Sequence, residues 1–293
     1  MEDLRIIGIF AGLGSAASWA MGSILFKRLG ERISPLAMTF AKGSLSIILL
    51  ALALAFIGYE SIEEQSLLLL ILSGLLGIAV SDTLFFEALQ DLEAHSLVLL
   101  MTFGQVFTVV LAVLFLGEQP SRVQWAGIFL IVLGITVVLI SKITGEEKAS
   151  RLKGMILGLL AVICMSVSLI IIKDSLDSVS ALSATFIRMI SGTTGILFLG
   201  VITNKLGRWM LPFSDVKLGG LFVVSVCVVT FGGFWLSIVA FKYLDVAIAN
   251  TLISTEPLFV LPLAAIFAQE KVTLKAVVGT AITTTGIILL CRG

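Results

Sequence analysis

The sequence predicts an all-α integral membrane fold of ten transmembrane helices in two inverted five-helix repeats. Three observations predict it. Hydrophobic residues make up 58% of the chain and charged residues only 13%, against about 25% charged in ordinary soluble domains. Ten apolar stretches follow one another, and the second half repeats the pattern of the first. Five passes per unit is an odd number, so the second unit enters the bilayer from the opposite face, an arrangement that recurs in secondary transporters.

The predicted spans are 6–26, 35–58, 67–89, 95–117, 124–141, 154–172, 181–202, 218–241, 246–268 and 276–291. Most approach the ~20 residues that carry a helix across ~30 Å of hydrocarbon. Backbone groups in lipid must bond internally, which leaves helices or a closed barrel. Alternating runs of about 10 residues, the barrel pattern, are absent. The chain opens Met1-Glu2-Asp3, acidic where a cleaved leader is basic. Span one is therefore expected to stay.

The repeat is legible residue by residue. At an offset of 146, Gly8, Gly12, Lys27 and Phe40 meet Gly154, Gly158, Lys173 and Phe186, and Lys42 meets Arg188. Later the offset is 152: Ala88, Leu92, Leu100, Glu118, Gly127 and Gly134 meet Ala240, Leu244, Leu252, Glu270, Gly279 and Gly286. The expected domains are residues 1–141 and 154–293, joined by a charged linker, 142–153. Locally, Ser34 before Pro35 and the Ser121–Gln124 capping box mark helix starts. The GxxxG spacings at Gly8–Gly12 and Gly154–Gly158 suit close helix packing.

Charges inside the apolar spans point to a site. They are Lys42, Asp82, Glu87, Arg188 and Glu256. Each costs about 2.5–3.5 kcal/mol at the bilayer centre, so each is expected to face the bundle interior. Lys42 lies seven residues into span two and Asp82 seven from the end of span three, which places both about 10 Å deep on one side. Depth likewise suggests Arg188–Glu256. These pairs would either fix helix register or contact a substrate. Glu87, near a span end, would snorkel.

Span nine is polar and interrupted. Pro257 and Pro262 remove two backbone donors beside Asn250, Thr251, Ser254, Thr255 and Glu256. Broken helices with an acid at mid-depth suit a transport site. Gln105 is the first-half counterpart of Pro257. Trp19 would line a cavity wall or join the aromatic belt, and His95 would anchor at the interface.

Other chemistries find little support. Gly12-Leu13-Gly14-Ser15-Ala16-Ala17 formally fits GxGxxG/A, yet it lies inside a membrane span with no preceding strand. Walker, GxSxG and HExxH patterns are absent, and Cys164, Cys227 and Cys291 have no metal or redox spacing. No cofactor or metal is expected. Net charge is zero, which gives nucleic acid no basic surface. An intramembrane enzyme is the weaker alternative, since one histidine and scattered cysteines do not make a reactive set.

Several of these residues together resemble the EamA family of the drug/metabolite transporter superfamily. They are Trp19 with Lys27, Pro35 with Lys42, Leu116-Gly117-Glu118, Ser254-Thr255-Glu256-Pro257, Glu270, Gly279 and Gly286. The resemblance spans nearly the whole chain. It implies ten helices in two inverted repeats around a central cavity, and alternating-access movement, often export, of amino acids or related metabolites. Substrate contacts are then expected at Trp19, Lys42, Asp82, Gln105, Arg188, Asn250, Ser254 and Glu256, with Glu256 or Asp82 as proton carrier. A flippase or lipid-carrier subunit is the alternative in the same superfamily. The sequence departs from the family at Gln105, where proline is expected, at Met165, which matches Trp19, and at Lys42, where arginine is usual.

Membrane lipid and a small-molecule substrate are the expected partners, and a homodimer is compatible with the sequence. The expected place is a prokaryotic inner or plasma membrane. The two sides differ in basic residues, five on the side of the termini and twelve on the other. The positive-inside rule therefore favours external termini, while family members commonly keep both termini in the cytoplasm.

Overall fold

The computed structural model describes residues 2–58, 62–104, 106–107, 121–140, 148–172, 175, 178–210, 215–244, 252–267 and 273–292. In chain order, α1 is Glu2–Gly30 and α2 is Pro35–Ile57. Helix α3 starts as Glu64–Gly74, passes through a π-helical segment, Leu75–Ser81, and ends as Asp82–Asp91. Then come α4 (Ala94–Met101), α5 (Arg122–Ile140), α6 (Lys148–Ile172), α7 (Ala181–Ile202) and the short α8 (Leu206–Met210). Helix α9 repeats the architecture of α3: Val216–Cys227, a π segment Val228–Trp235, then Leu236–Tyr243. Helices α10 (Glu256–Phe267) and α11 (Leu274–Arg292) close the chain. Six helices of the described residues are long and apolar enough to cross a membrane, and three further apolar helices are shorter.

Helix starts follow local chemistry. Ser121 and Gln124 form the reciprocal box: the Ser121 amide donates to Gln124 Oε1 at 2.7 Å, and the Gln124 amide to Ser121 Oγ at 3.2 Å. Ser34 takes the extended N-cap conformation ahead of Pro35, but its hydroxyl makes no capping bond. Pro35 at the first helical position has no N–H to leave unsatisfied. Helix α6 begins at Lys148, inside the expected linker. Its basic first turns, with Lys148, Arg151 and Lys153, extend the helix beyond the apolar span.

The halves pack crosswise. Helix α1 lies against α9 as α6 lies against α3, and α2 meets α7, α4 meets α10, and α5 meets α11. The matched residues reciprocate in detail. A methyl added at Gly8 would fall 2.7 Å from Leu244, and one at the matched Gly154 would fall 2.9 Å from the matched Leu92. Gly12 faces Leu252 and Ala240, while Gly158 faces Leu100 and Ala88. Ser15 Oγ donates to the Gly233 carbonyl at 2.9 Å, and at the exchanged position Ser81 Oγ donates to the Ala161 carbonyl at 2.8 Å. Glycines Gly134, Gly279 and Gly286 bring α5 and α11 so close that a side chain at Gly134 would meet the Gly279 carbonyl at 2.6 Å. Small residues at helix contacts are how apolar helices associate when the solvent is equally apolar. Large side chains such as Phe10, Phe56, Phe129 and Ile266 point outward, 65–89% exposed, as a lipid-facing surface requires.

Span nine is interrupted as expected, but ahead of its prolines: Leu252–Ile253 is helical, Ser254 and Thr255 turn, and a new helix begins at Glu256. Pro257 thus sits in a first turn, where its missing donor costs nothing, and Pro262 alone lies in the helix interior. The turn is closed by the Thr255 hydroxyl on the Leu252 carbonyl at 2.6 Å. In the first half the Thr102 hydroxyl closes the end of α4 on the Leu99 carbonyl, also at 2.6 Å. The two turns lie within one residue of the positions that the offset of 152 predicts.

Candidate functional site

Helices α2 and α3 bring Lys42 and Asp82 into a direct, hydrogen-bonded ion pair. Their side chains are 3% and 10% exposed. Asp82 is the first residue after the π segment of α3, and such a segment re-aims the side chains that follow it. The Lys42 ammonium also stands 5.5 Å from the ring centres of Phe86 and Phe234, a distance that permits cation–π attraction. Phe234 belongs to the π segment of α9 and packs edge-on against Trp19, with ring centres 4.7 Å apart. Trp19 therefore faces the protein interior rather than an interfacial belt.

Arg188, on α7, is 8% exposed. One terminal nitrogen donates to Ser168 Oγ at 3.1 Å, and Nε has no acceptor. Glycines make room for it: a side chain at Gly74 would strike the Arg188 carbonyl at 2.4 Å, and one at Gly77 would meet its guanidinium at 3.0 Å. Ser168 is itself tied to Ser73 of α3 by hydroxyl and carbonyl contacts of 2.8–2.9 Å.

Arg188 and Glu256 do not meet. Glu256 accepts instead from Ser23 Oγ of α1 at 3.4 Å, a hydroxyl that makes a shorter bond, 2.8 Å, to the Trp19 carbonyl. The physical reason is lateral. Depth fixes one coordinate, whereas α7 packs on α2 and α3 and α10 packs on α1 and α4. Ser254 is buried in the turn before α10. Gln105, Asn250 and Thr251, like Glu118 and Glu270, lie outside the described residues. His95 is 4% exposed at the start of α4, so the protein rather than the interface surrounds it. Lys27 donates to the carbonyls of Leu89, Gln90 and Leu92, which secures the end of α3.

The residues that sequence reasoning passed over are Phe86, Phe234, Ser168 and Ser23. Phe234 had a signal: the offset of 152 places it opposite Asp82. Phe86 also lines a small pocket with Phe26, Lys27, Gly30, Pro35 and Gln90. The arrangement is a desolvated ionic group in the contact between the two halves, walled by aromatic rings.

The sequence profile of the EamA-like transporter family matches residues 6–140 and again 152–292. The chain belongs to the EamA-like transporter family. It is a multi-pass membrane protein with one EamA domain per half, and a transporter rather than an enzyme. An uncharacterized transporter of Archaeoglobus fulgidus is 21% identical over 286 residues, 97% of this chain and 98% of the relative. The uncharacterized Bacillus subtilis transporter YxxF is 25% identical over 137 residues; the chain spans 44% of that relative's length. An uncharacterized Methanocaldococcus jannaschii protein is 29% identical over 133 residues, which are 45% of this chain but 96% of the relative. A crystal structure at 12% identity superposes with a TM-score of 0.65 over 99% of this chain and 96% of its own, which shows the shared fold.

Proposed function

We propose that this EamA protein is a secondary transporter that exports a small polar or zwitterionic metabolite by alternating access. The two units, 1–141 and 154–293, joined through 142–153, would be inverted in the membrane and rock about the contact between them. The observation that carries this reading is the sealed ionic group of Lys42, Asp82 and Arg188 at that contact. Ionised side chains in a lipid-spanning bundle are costly, and those that face its interior mark pathways for polar solutes. Reciprocal packing supports the rest, because a bundle whose halves exchange roles has two equivalent ways to close.

In this reading Lys42 and Arg188 face an anionic group, and Asp82 and Glu256 face a cationic group or carry a coupling proton. Trp19, Gln105, Asn250 and Ser254 complete the solute contacts. The bacterial and archaeal relatives point to a prokaryotic plasma membrane. The test is counterflow of radiolabelled amino acids, nucleosides and sugars in proteoliposomes. Saturable counterflow of at least one solute, abolished by Asp82→Asn, is expected. Absence of counterflow for every solute contradicts the proposal.

A further inference from the structure

The geometry points to Arg188 as the anchor for a carboxylate carried by the solute. The inference rests on the transport reading and narrows its substrate class. Repeat symmetry makes the case. Lys42 and Arg188 occupy matched positions in the two halves. Lys42 receives its carboxylate from Asp82. The matched position in the second half is Phe234, an apolar ring that packs on Trp19. At the position matched to Asp82 the second half therefore carries no acid.

Its hydrogen bonding says the same. Arg188 is 8% exposed, its one hydrogen bond goes to the neutral hydroxyl of Ser168, and its Nε–H has no acceptor. Among the described residues no carboxylate lies within ion-pair distance of it. The carboxylate of Asp82 is hydrogen-bonded to Lys42. Among the described residues, Asp82 is thus the one carboxylate paired with either of the two buried cations, and it is paired with Lys42. Buried charges are stable when paired. A guanidinium offers parallel donors that match a carboxylate bidentately. A monoanion balances the site, whereas a phosphate dianion leaves a surplus negative charge in a desolvated place.

The test uses the purified full-length protein in detergent. Melting temperature is followed with the standard L-amino acids and short monocarboxylates, their carboxamides, and inorganic phosphate. At least one carboxylate is expected to raise Tm by about 4 °C near saturation, with no rise from its carboxamide. Arg188→Gln should abolish that rise and Arg188→Lys should keep part of it. If Arg188→Gln does not fold, partial retention of the rise in Arg188→Lys decides. A carboxamide as effective as its acid, a rise from phosphate only, no rise from any carboxylate, or a rise that survives Arg188→Gln overturns the inference. Proteoliposome flux separates the two levels. Transport of neutral solutes but not acids keeps the transport reading and removes this one, while no flux removes the transport reading and leaves the binding result to stand.

Discussion

At the residue scale, Lys42 and Asp82 were legible because each lies seven residues from a span end on the same side. A shared depth and a large penalty for separation were enough to predict their contact. That penalty is measurable. Lys42→Met strands a buried carboxylate, and breaking such a pair from one side costs about 3–5 kcal/mol. The double variant Lys42→Met/Asp82→Leu should recover much of the loss, as read by unfolding in mixed micelles; equal losses in the single and double variants would mean that the pair is already solvated. Arg188 was not legible in the same way. Its helix faces a serine on α6, which no depth argument distinguishes from an acid on α10. Glu256, at the first turn of α10 beside Ser23, is the candidate proton carrier. Glu256→Gln is expected to abolish the pH dependence of flux in proteoliposomes, and flux that keeps its full pH dependence would remove Glu256 from that role.

At the element scale, hydropathy set the helices and the repeat set their pairing, but composition carries no mark of the π segments. Leu75–Ser81 and Val228–Trp235 are ordinary apolar sequence. Their recurrence at matched places, next to Asp82 and containing Phe234, shows that the duplicated unit includes the irregularity. The turns at Thr102 and Thr255 recur likewise, although only the second half has a following proline, so proline does not cause the break. The hydroxyl-to-carbonyl bond is common to both. Tight contacts should be reciprocal in energy as well as in geometry. Gly8→Val and Gly154→Val each force a side chain into a matched leucine, and each should cost about 1–3 kcal/mol. A cost confined to one of the two would contradict the equivalence of the α1–α9 and α6–α3 contacts.

At the scale of the whole molecule, the principal helix contacts run between halves rather than within them. Residues 1–147 and 148–293, co-expressed as separate chains, should therefore assemble and co-purify. Failure to associate would mean that the linker, not the interface, holds the halves together. The family and its duplication were readable from scattered motifs because their order and doubling add up where single motifs do not. The closed state around Lys42 was not readable, since it depends on how Phe86, Phe234 and Trp19 stack across three helices.

Alternating access at the contact between halves is the central claim, and sided labelling tests it most directly. Thr39 is fully buried on α2, one turn before Lys42, and its hydroxyl meets Thr83 of α3 at 3.0 Å. In a background with Cys164, Cys227 and Cys291 replaced by serine, a Thr39→Cys thiol should react with a membrane-impermeant maleimide added from either face of sealed vesicles. A transported solute should slow the reaction from both. Labelling from one face alone, or from neither while the protein still transports, would contradict the account.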